Sequence, residues 1–176
     1  MENATTGLGR ETHQRWRAAL AVACVAFGVA GCASTSGLSE LECMERAMYF
    51  ESNRSSRDGL IAVGSVVMNR VESAQFPNTV CAVVGQKRQF ADGVLSRSMN
   101  PRDLPKVQAA ARAVMAGERH PLIANAMFFH AATHRFSYDN MHYVLVTGGN
   151  AFYEKRKKSQ VTQPVPPSPI EELTGR

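Results

Sequence analysis

The chain has 176 residues, 44% of them hydrophobic, with 20 Lys and Arg against 15 Asp and Glu for a net charge of +5. That is one domain's worth of chain with enough apolar content for a real core, and it contains no internal repeats. The positive balance is mild and, apart from the solvated run Lys155–Lys158, scattered; it fits contact with anionic polymers and gives no nucleic-acid footprint.

Arg10, Arg15 and Arg17 form a basic segment, diluted by Glu2 and Glu11, ahead of an uncharged and mostly apolar run from Ala18 to Gly31. Such a run is too short to cross a bilayer as a helix and suits the core of a signal peptide. It ends in Val29-Ala30-Gly31-Cys32, which resembles the lipobox of bacterial lipoproteins. The resemblance implies a signal peptide over 1–31, cleavage before Cys32, lipid on its thiol, and a small polar tether over 32–38. An ordinary secretory signal or an uncleaved anchor is the alternative. Cleavage takes away three basic and two acidic residues and leaves 145 residues at +4. Ala33, not Asp, follows Cys32, which resembles default sorting to the outer membrane. The expected location is the cell envelope, facing the periplasm, with membrane contact through the N-terminal lipid.

Cys24 leaves with the signal and Cys32 carries lipid, so Cys43 and Cys81 remain. In an oxidising envelope they are expected to pair, the alternative being two reduced cysteines on helix faces.

Ser39 with Glu42 has the spacing of a capping box and predicts a helix from about Glu40, with Leu41, Met44 and Met48 on one stripe. Residues 52–57 (SNRSSR) break it, and a second helix follows from about Asp58 to Val71. That helix is apolar nearly all round, which predicts the centre of the core. Phe76-Pro77-Asn78 is a turn; TVCAVV is a short helix that Gly85 stops; residues 86–99 read as a long loop of the kind that often carries function. A further helix opens at Asn100-Pro101 or Asp103 and ends at Gly117. Asn125–Ala131 and His142–Tyr153 are rich in aromatic and β-branched residues, with Gly148-Gly149-Asn150 as a turn, and predict a small antiparallel hairpin. The segment from Ser159 onward is Pro-rich and is expected to stay disordered over 159–176. The domain is therefore bounded at 39–158.

The segment of most chemical interest is Ala47-Met48-Tyr49-Phe50-Glu51. A carboxyl placed against bulky apolar groups at a helix end resists ionisation, as a general acid near neutrality requires. A solvated helix-end glutamate is the plainer reading of those residues alone.

Taken with Cys43-Met44-Glu45-Arg46 before it, Asp58–Arg70 after it (DGLIAVGSVVMNR), Phe76–Val84 (FPNTVCAVV), Gln89-Phe90, and Gly149–Tyr153 (GNAFY), this stretch resembles the SleB-type cell-wall hydrolase family, which includes the spore-cortex-lytic enzymes. The resemblance covers about residues 41–156. It implies an α+β, mainly helical, lysozyme-like fold that cleaves peptidoglycan glycan strands between N-acetylmuramic acid and N-acetylglucosamine, with Glu51 as the catalytic acid and base. A lytic transglycosylase needs only that one carboxylate; two-carboxylate mechanisms need a partner, for which Asp58, Asp92 and Asp139 are candidates. Gln89 and Phe90 match the family's Gln-Phe and are candidates to line the sugar groove. Tyr49, Asn125, His130 and Tyr138 are further substrate-binding candidates. The chain departs from the family in reading Glu51-Ser52-Asn53-Arg54-Ser55 where Glu-Ala-Arg-Gly-Glu is common, and in carrying Asn150 where many relatives have histidine.

His130 and His134 have an H-x-x-x-H spacing, yet no glutamate follows as in a zincin helix, so no metal or other cofactor is expected. Cys43 and Cys81 sit in apolar helices that would stabilise a thiolate poorly, which argues against a cysteine nucleophile. The expected partner is peptidoglycan, acted on by a monomer. The alternatives are a non-catalytic peptidoglycan-binding lipoprotein and a zinc-dependent peptidoglycan peptidase.

Overall fold

The computed structural model describes residues 37–52 and 56–175. The signal segment, Cys32 and most of the tether lie outside the described residues, so the lipid attachment expected there has no structural account.

Helix α1 (Glu40–Glu51) begins on the capping box expected for it: Glu42 N–H donates to the Ser39 hydroxyl at 3.2 Å, and Ser39 N–H donates to the Glu42 carboxylate at 2.8 Å. Its buried stripe is Cys43, Met44, Ala47 and Met48. Helix α2 (Arg57–Val71) is capped by the Ser56 hydroxyl, which accepts from Gly59 N–H at 3.0 Å. Leu60, Ile61, Val63, Val66 and Val67 of α2 are wholly buried, each stabilising the fold by about 1.5–3 kcal/mol. One side of α2 joins α1, α3 (Val80–Val84) and α4 (Leu104–Met115) in the main core. Its other side packs Ala62, Val63 and Val66 under the sheet residues Leu145 and Phe152. An all-round apolar helix is thus explained by its place between two layers.

Helix α3 starts at Thr79, as its cap, and borrows a second one from α1. The Glu40 carboxylate accepts from the N–H groups of Val80 at 2.5 Å and Cys81 at 3.3 Å. Cys43 and Cys81 are joined by a disulfide with their Cα atoms 5.1 Å apart, a second tie between the same two helices.

The long loop between α3 and α4 is fastened along α1. Arg46 donates to the carbonyls of Arg97 at 2.8 Å and Val94 at 3.3 Å, Asn100 N–H donates to the Tyr49 hydroxyl at 2.8 Å, and the Arg97 guanidinium lies 4.5 Å over the Phe50 ring. An aperiodic sequence therefore takes a fixed course because one helix face supplies its donors and acceptors.

Strands β1 (Phe128–Ala131), β2 (Met141–Thr147) and β3 (Asn150–Lys155) form an antiparallel sheet in the order β1-β3-β2. The expected hairpin is β2–β3, turning at Gly148-Gly149; β1 adds itself to the far side of β3, with Phe128 opposite Tyr153. This gives the mainly helical α+β fold expected of the sequence, with one strand more than a hairpin.

The expectation of disorder for 159–176 is corrected over the described residues 159–175. The segment follows the outer edge of β2, where Tyr143 N–H donates to the Gln163 carbonyl at 2.9 Å and Ile170 N–H to the Val146 carbonyl at 3.0 Å. It ends against α2, whose Asp58 carboxylate accepts from Leu173 N–H at 2.7 Å, from Thr174 N–H at 2.8 Å and from the Thr174 hydroxyl. Low apolar content did not prevent order because backbone pairing and a buried carboxylate do the holding. Edge strand β2 is covered in the process.

Candidate active site

Glu51 is the last residue of α1 and is half-buried. The helix ends there because Ser52 leaves the helical conformation for an extended one, while its N–H and hydroxyl both return to the Met48 carbonyl, at 3.1 and 2.7 Å. Two further contacts fix Glu51. Ala91 N–H, on the long loop, donates to its Oε1 at 2.5 Å. The Asn150 side-chain amide, at the start of β3, donates to its main-chain carbonyl at 2.7 Å. Side chain and backbone are thus held from two different elements.

Burial pushes the Glu51 carboxyl above its ordinary pKa; the Ala91 N–H and the positive charge of Arg70 pull the other way without cancelling it. Arg70, near the end of α2, is 3% exposed. Its Nε donates to the Met127 carbonyl at 2.7 Å, and the guanidinium carbon lies 5.2 Å from the centre of Phe76, 5.3 Å from Phe90 and 5.8 Å from Phe128. Burial draws its pKa down to about 10, opposed by the fields of Tyr153 and Glu51. The arrangement is a carboxyl whose hold on its proton is strengthened by a partly apolar setting, with an N–H and a buried cation at hand to stabilise the anion once the proton leaves. Such a group gives up a proton and takes one back, which is acid–base chemistry at one oxygen.

The other residues singled out from sequence fall in several places. Phe90 is buried beneath the site and stacks on Arg70, whereas Gln89 beside it faces solvent. Phe90, Ala91 and Asp92 line a cavity of about 270 Å³ within the long loop. Tyr49 is turned away from Glu51 by helix geometry and spends its hydroxyl on Asn100 N–H, which makes it a support for the loop. Asn125 lines a separate cavity with Asn69, Glu72, Ser73 and Met127. His130 and Tyr138 belong to one aromatic array on the sheet. His130 is 2.9 Å from the Tyr143 hydroxyl and packs against Tyr153, Tyr143 and Phe136; Phe136 stacks on Tyr138, and these last two rings are exposed. Tyr153 continues the array to Phe128, whose ring Arg70 faces.

None of the three candidate partner carboxylates is hydrogen-bonded into the Glu51 contacts just described. Asp58 is buried under the C-terminal segment, Asp139 pairs with Lys158 at 3.1 Å, and Asp92 is exposed on the loop. His134 packs against Phe136, and among the described residues no cluster of His, Cys, Asp and Glu is suited to a metal. Sequence reasoning missed Arg70 and the bond from Asn150. The signal for Arg70 was a charge that follows the apolar run after Asp58 on a helix expected to be buried nearly all round, since an arginine is almost never fully buried without a partner.

Residues 54–153 match the family described as cell wall hydrolase. The chain belongs to this family. The match begins three residues after Glu51. A spore cortex-lytic enzyme of Bacillus cereus is 41% identical over 64 residues, and one of Oceanobacillus iheyensis 39% identical over 57 residues. These stretches are 35% and 31% of this chain, and they span only about a quarter and a fifth of those relatives (25% and 21%). Among solved structures, the catalytic domain of the germination-specific lytic transglycosylase SleB from Bacillus anthracis superposes with a TM-score of 0.55 at 29% identity, covering 67% of this chain and 98% of that one. The catalytic domain of the Bacillus cereus SleB protein gives 0.55 at 28% identity, covering 65% and 89%. Fold and family therefore agree: this is an enzyme-type cell wall hydrolase domain of SleB-like architecture.

Proposed function

We propose that this cell wall hydrolase family member cleaves the glycan strands of peptidoglycan between N-acetylmuramic acid and N-acetylglucosamine as a lytic transglycosylase, with Glu51 serving as acid and then base. The single observation that carries the reading is the Glu51 carboxyl itself, half-buried, raised in pKa, and backed by the Ala91 N–H and Arg70. In the first half of the reaction the Glu51 proton passes to the glycosidic oxygen as its bond to the muramyl C1 breaks. In the second half the carboxylate takes the proton of the muramyl C6 hydroxyl, whose oxygen bonds to C1 and closes a 1,6-anhydro ring. Proton and bonds balance with no water consumed and one carboxylate used twice. The likeness to a lytic transglycosylase catalytic domain supports the same choice.

The exposed Phe136 and Tyr138 rings offer flat faces to sugar rings, and the array behind them leads back to Tyr153 beside Arg70. We place part of the glycan strand there. We further propose that the enzyme is lipid-anchored at Cys32 and faces the wall from the outer membrane. Acyl labelling that disappears in Cys32→Ala checks the anchor.

Mass spectrometry of products released from purified sacculi tests the chemistry. Anhydro-ended muropeptides from the parent and none from Glu51→Gln are expected. Reducing ends in their place would mean that water, and not the C6 hydroxyl, attacks C1. No release would leave a binding lipoprotein, and cut stem peptides lost on chelation a zinc peptidase.

A further inference from the structure

Residues 159–175 lie beyond the family match, and one of their carboxylates reaches two joints of the active-site backbone. Glu171 Oε1 accepts from Gly148 N–H at 2.7 Å, and its Oε2 accepts from the Ser56 hydroxyl. Ser56 caps α2 five residues after Glu51. Gly148 opens the turn whose Asn150 grips the Glu51 carbonyl at 2.7 Å. One side chain therefore ties the N-cap of α2 to the turn that holds Glu51.

The neighbouring geometry gives this tie a direction. The turn rests directly on the first turn of α2: a Cβ on Gly59 would stand 2.6 Å from Gly148 Cα. That close approach blocks movement of the turn toward the helix, and the Glu171 bond opposes movement away from it. Leu173 and Thr174 on Asp58, and Ile170 on Val146, hold the backbone of Glu171 in place on either side.

Resting on the assignment of Glu51 as the acid and base, we propose that the C-terminal segment is a positioning clip, in which Glu171 acts through Gly148 and Asn150 to hold the Glu51 main chain in register for proton transfer. Glu171 touches no reacting atom; it acts at a distance of two hydrogen bonds. Small displacements of a catalytic group are costly to turnover, so the clip should show in kcat more than in KM.

The test uses the full chain and soluble glycan fragments, with parent, Glu171→Ala, Glu171→Gln, Asn150→Ala, and the Glu171→Ala/Asn150→Ala double variant. Glu171→Ala is expected to lower kcat about tenfold with KM within about twofold. Glu171→Gln keeps an oxygen for Gly148 N–H and should recover most of that loss. Because Glu171 and Asn150 are two links of one chain, the double variant should be no slower than Asn150→Ala alone. A kcat unchanged in Glu171→Ala, or losses that multiply in the double variant, would overturn the clip and leave a stabilising staple. If Glu171→Ala does not fold, Glu171→Asp, too short to span both partners, is judged by the same criteria. Glu51→Gln runs alongside. An inactive parent or an active Glu51→Gln removes the acid–base reading and the clip with it. An active parent with a dead Glu51→Gln and an unimpaired Glu171→Ala removes the clip alone.

Discussion

Two carboxylates stand seven positions apart, Glu51 at the end of α1 and Asp58 in the first turn of α2, and their surroundings drive them in opposite directions. Asp58 is the less accessible to solvent, only 2% exposed. Burial alone would raise its pKa, but the Thr174 hydroxyl, the Leu173 and Thr174 N–H groups and the nearby His120 together bring it below the ordinary value. Glu51 has one N–H and a more distant cation, and it stays above. Solvent accessibility alone therefore does not decide the charge; the donors gathered around the anion weigh against desolvation and prevail at Asp58. A carboxylate given three donors is a fixture, and one given a single donor can still trade its proton.

His120 completes the fixed side. Its Nδ1 accepts from Leu122 N–H at 3.2 Å, which leaves the proton of the neutral ring on Nε2, 3.6 Å from the Asp58 carboxylate. Burial first, and more strongly than Asp58 opposes it, lowers the pKa of this histidine, so the ring stays neutral at physiological pH.

The contrast can be broken from either end. Glu51→Gln should cost about a thousandfold in turnover, read as muropeptide release, while the fold persists. The same variant has a stability signature. A pKa raised by folding makes a contribution that is fully present below the unfolded pKa and is lost as pH rises through the folded one. Glu51→Gln should therefore melt higher than the parent above that range and alike below it. Asp58→Ala is expected to cost about 3 kcal/mol in denaturant unfolding, because three donors lose their acceptor. Here the sign reverses: a lowered pKa stabilises above the unfolded value, and the benefit goes as pH falls through the folded one. The gap between parent and Asp58→Ala should narrow in acid.

Arg70→Met sharpens the comparison by removing the cation that partly opposes burial at Glu51. The alkaline limb of the pH–rate profile should move upward, with turnover down about tenfold. The smallest effect is expected from Phe136→Ala with Tyr138→Ala, which leaves both carboxylates alone. A rise in KM of about threefold to tenfold at constant kcat, measured on soluble fragments, would place sugar rings on those faces.

The helices were readable because their signals are local. Ser39 with Glu42, the all-apolar run after Asp58, and Gly85 each act within a few residues of themselves. Glu51 needed more: its sequence neighbours suggested burial, but Phe50 and Tyr49 point elsewhere, to Arg97 and Asn100. What buries and tunes it arrives from the long loop, from the end of α2 and from β3. Asn150 looked like a plain departure from the family's histidine until the fold put its amide on the Glu51 carbonyl. The C-terminal segment was misjudged for the same reason. Its composition is poor in apolar residues, and its partners, Asp58 and Ser56, stand 115 or more residues away in the chain. Composition reports what a segment can bury, and says nothing of an acceptor waiting across the fold.

Gly59 and Gly148 carry a consequence for how this protein can vary. A methyl on either would overlap the backbone of the other, at 2.6 Å from Gly148 Cα or 2.4 Å from Gly59 Cα. Two positions 89 residues apart therefore share one allowance of space, and neither can grow by compensation from the other. In a saturation library scored for wall cleavage, both should tolerate glycine alone. Losses at Gly148 should be the more severe, since its φ of +57° already disfavours any side chain.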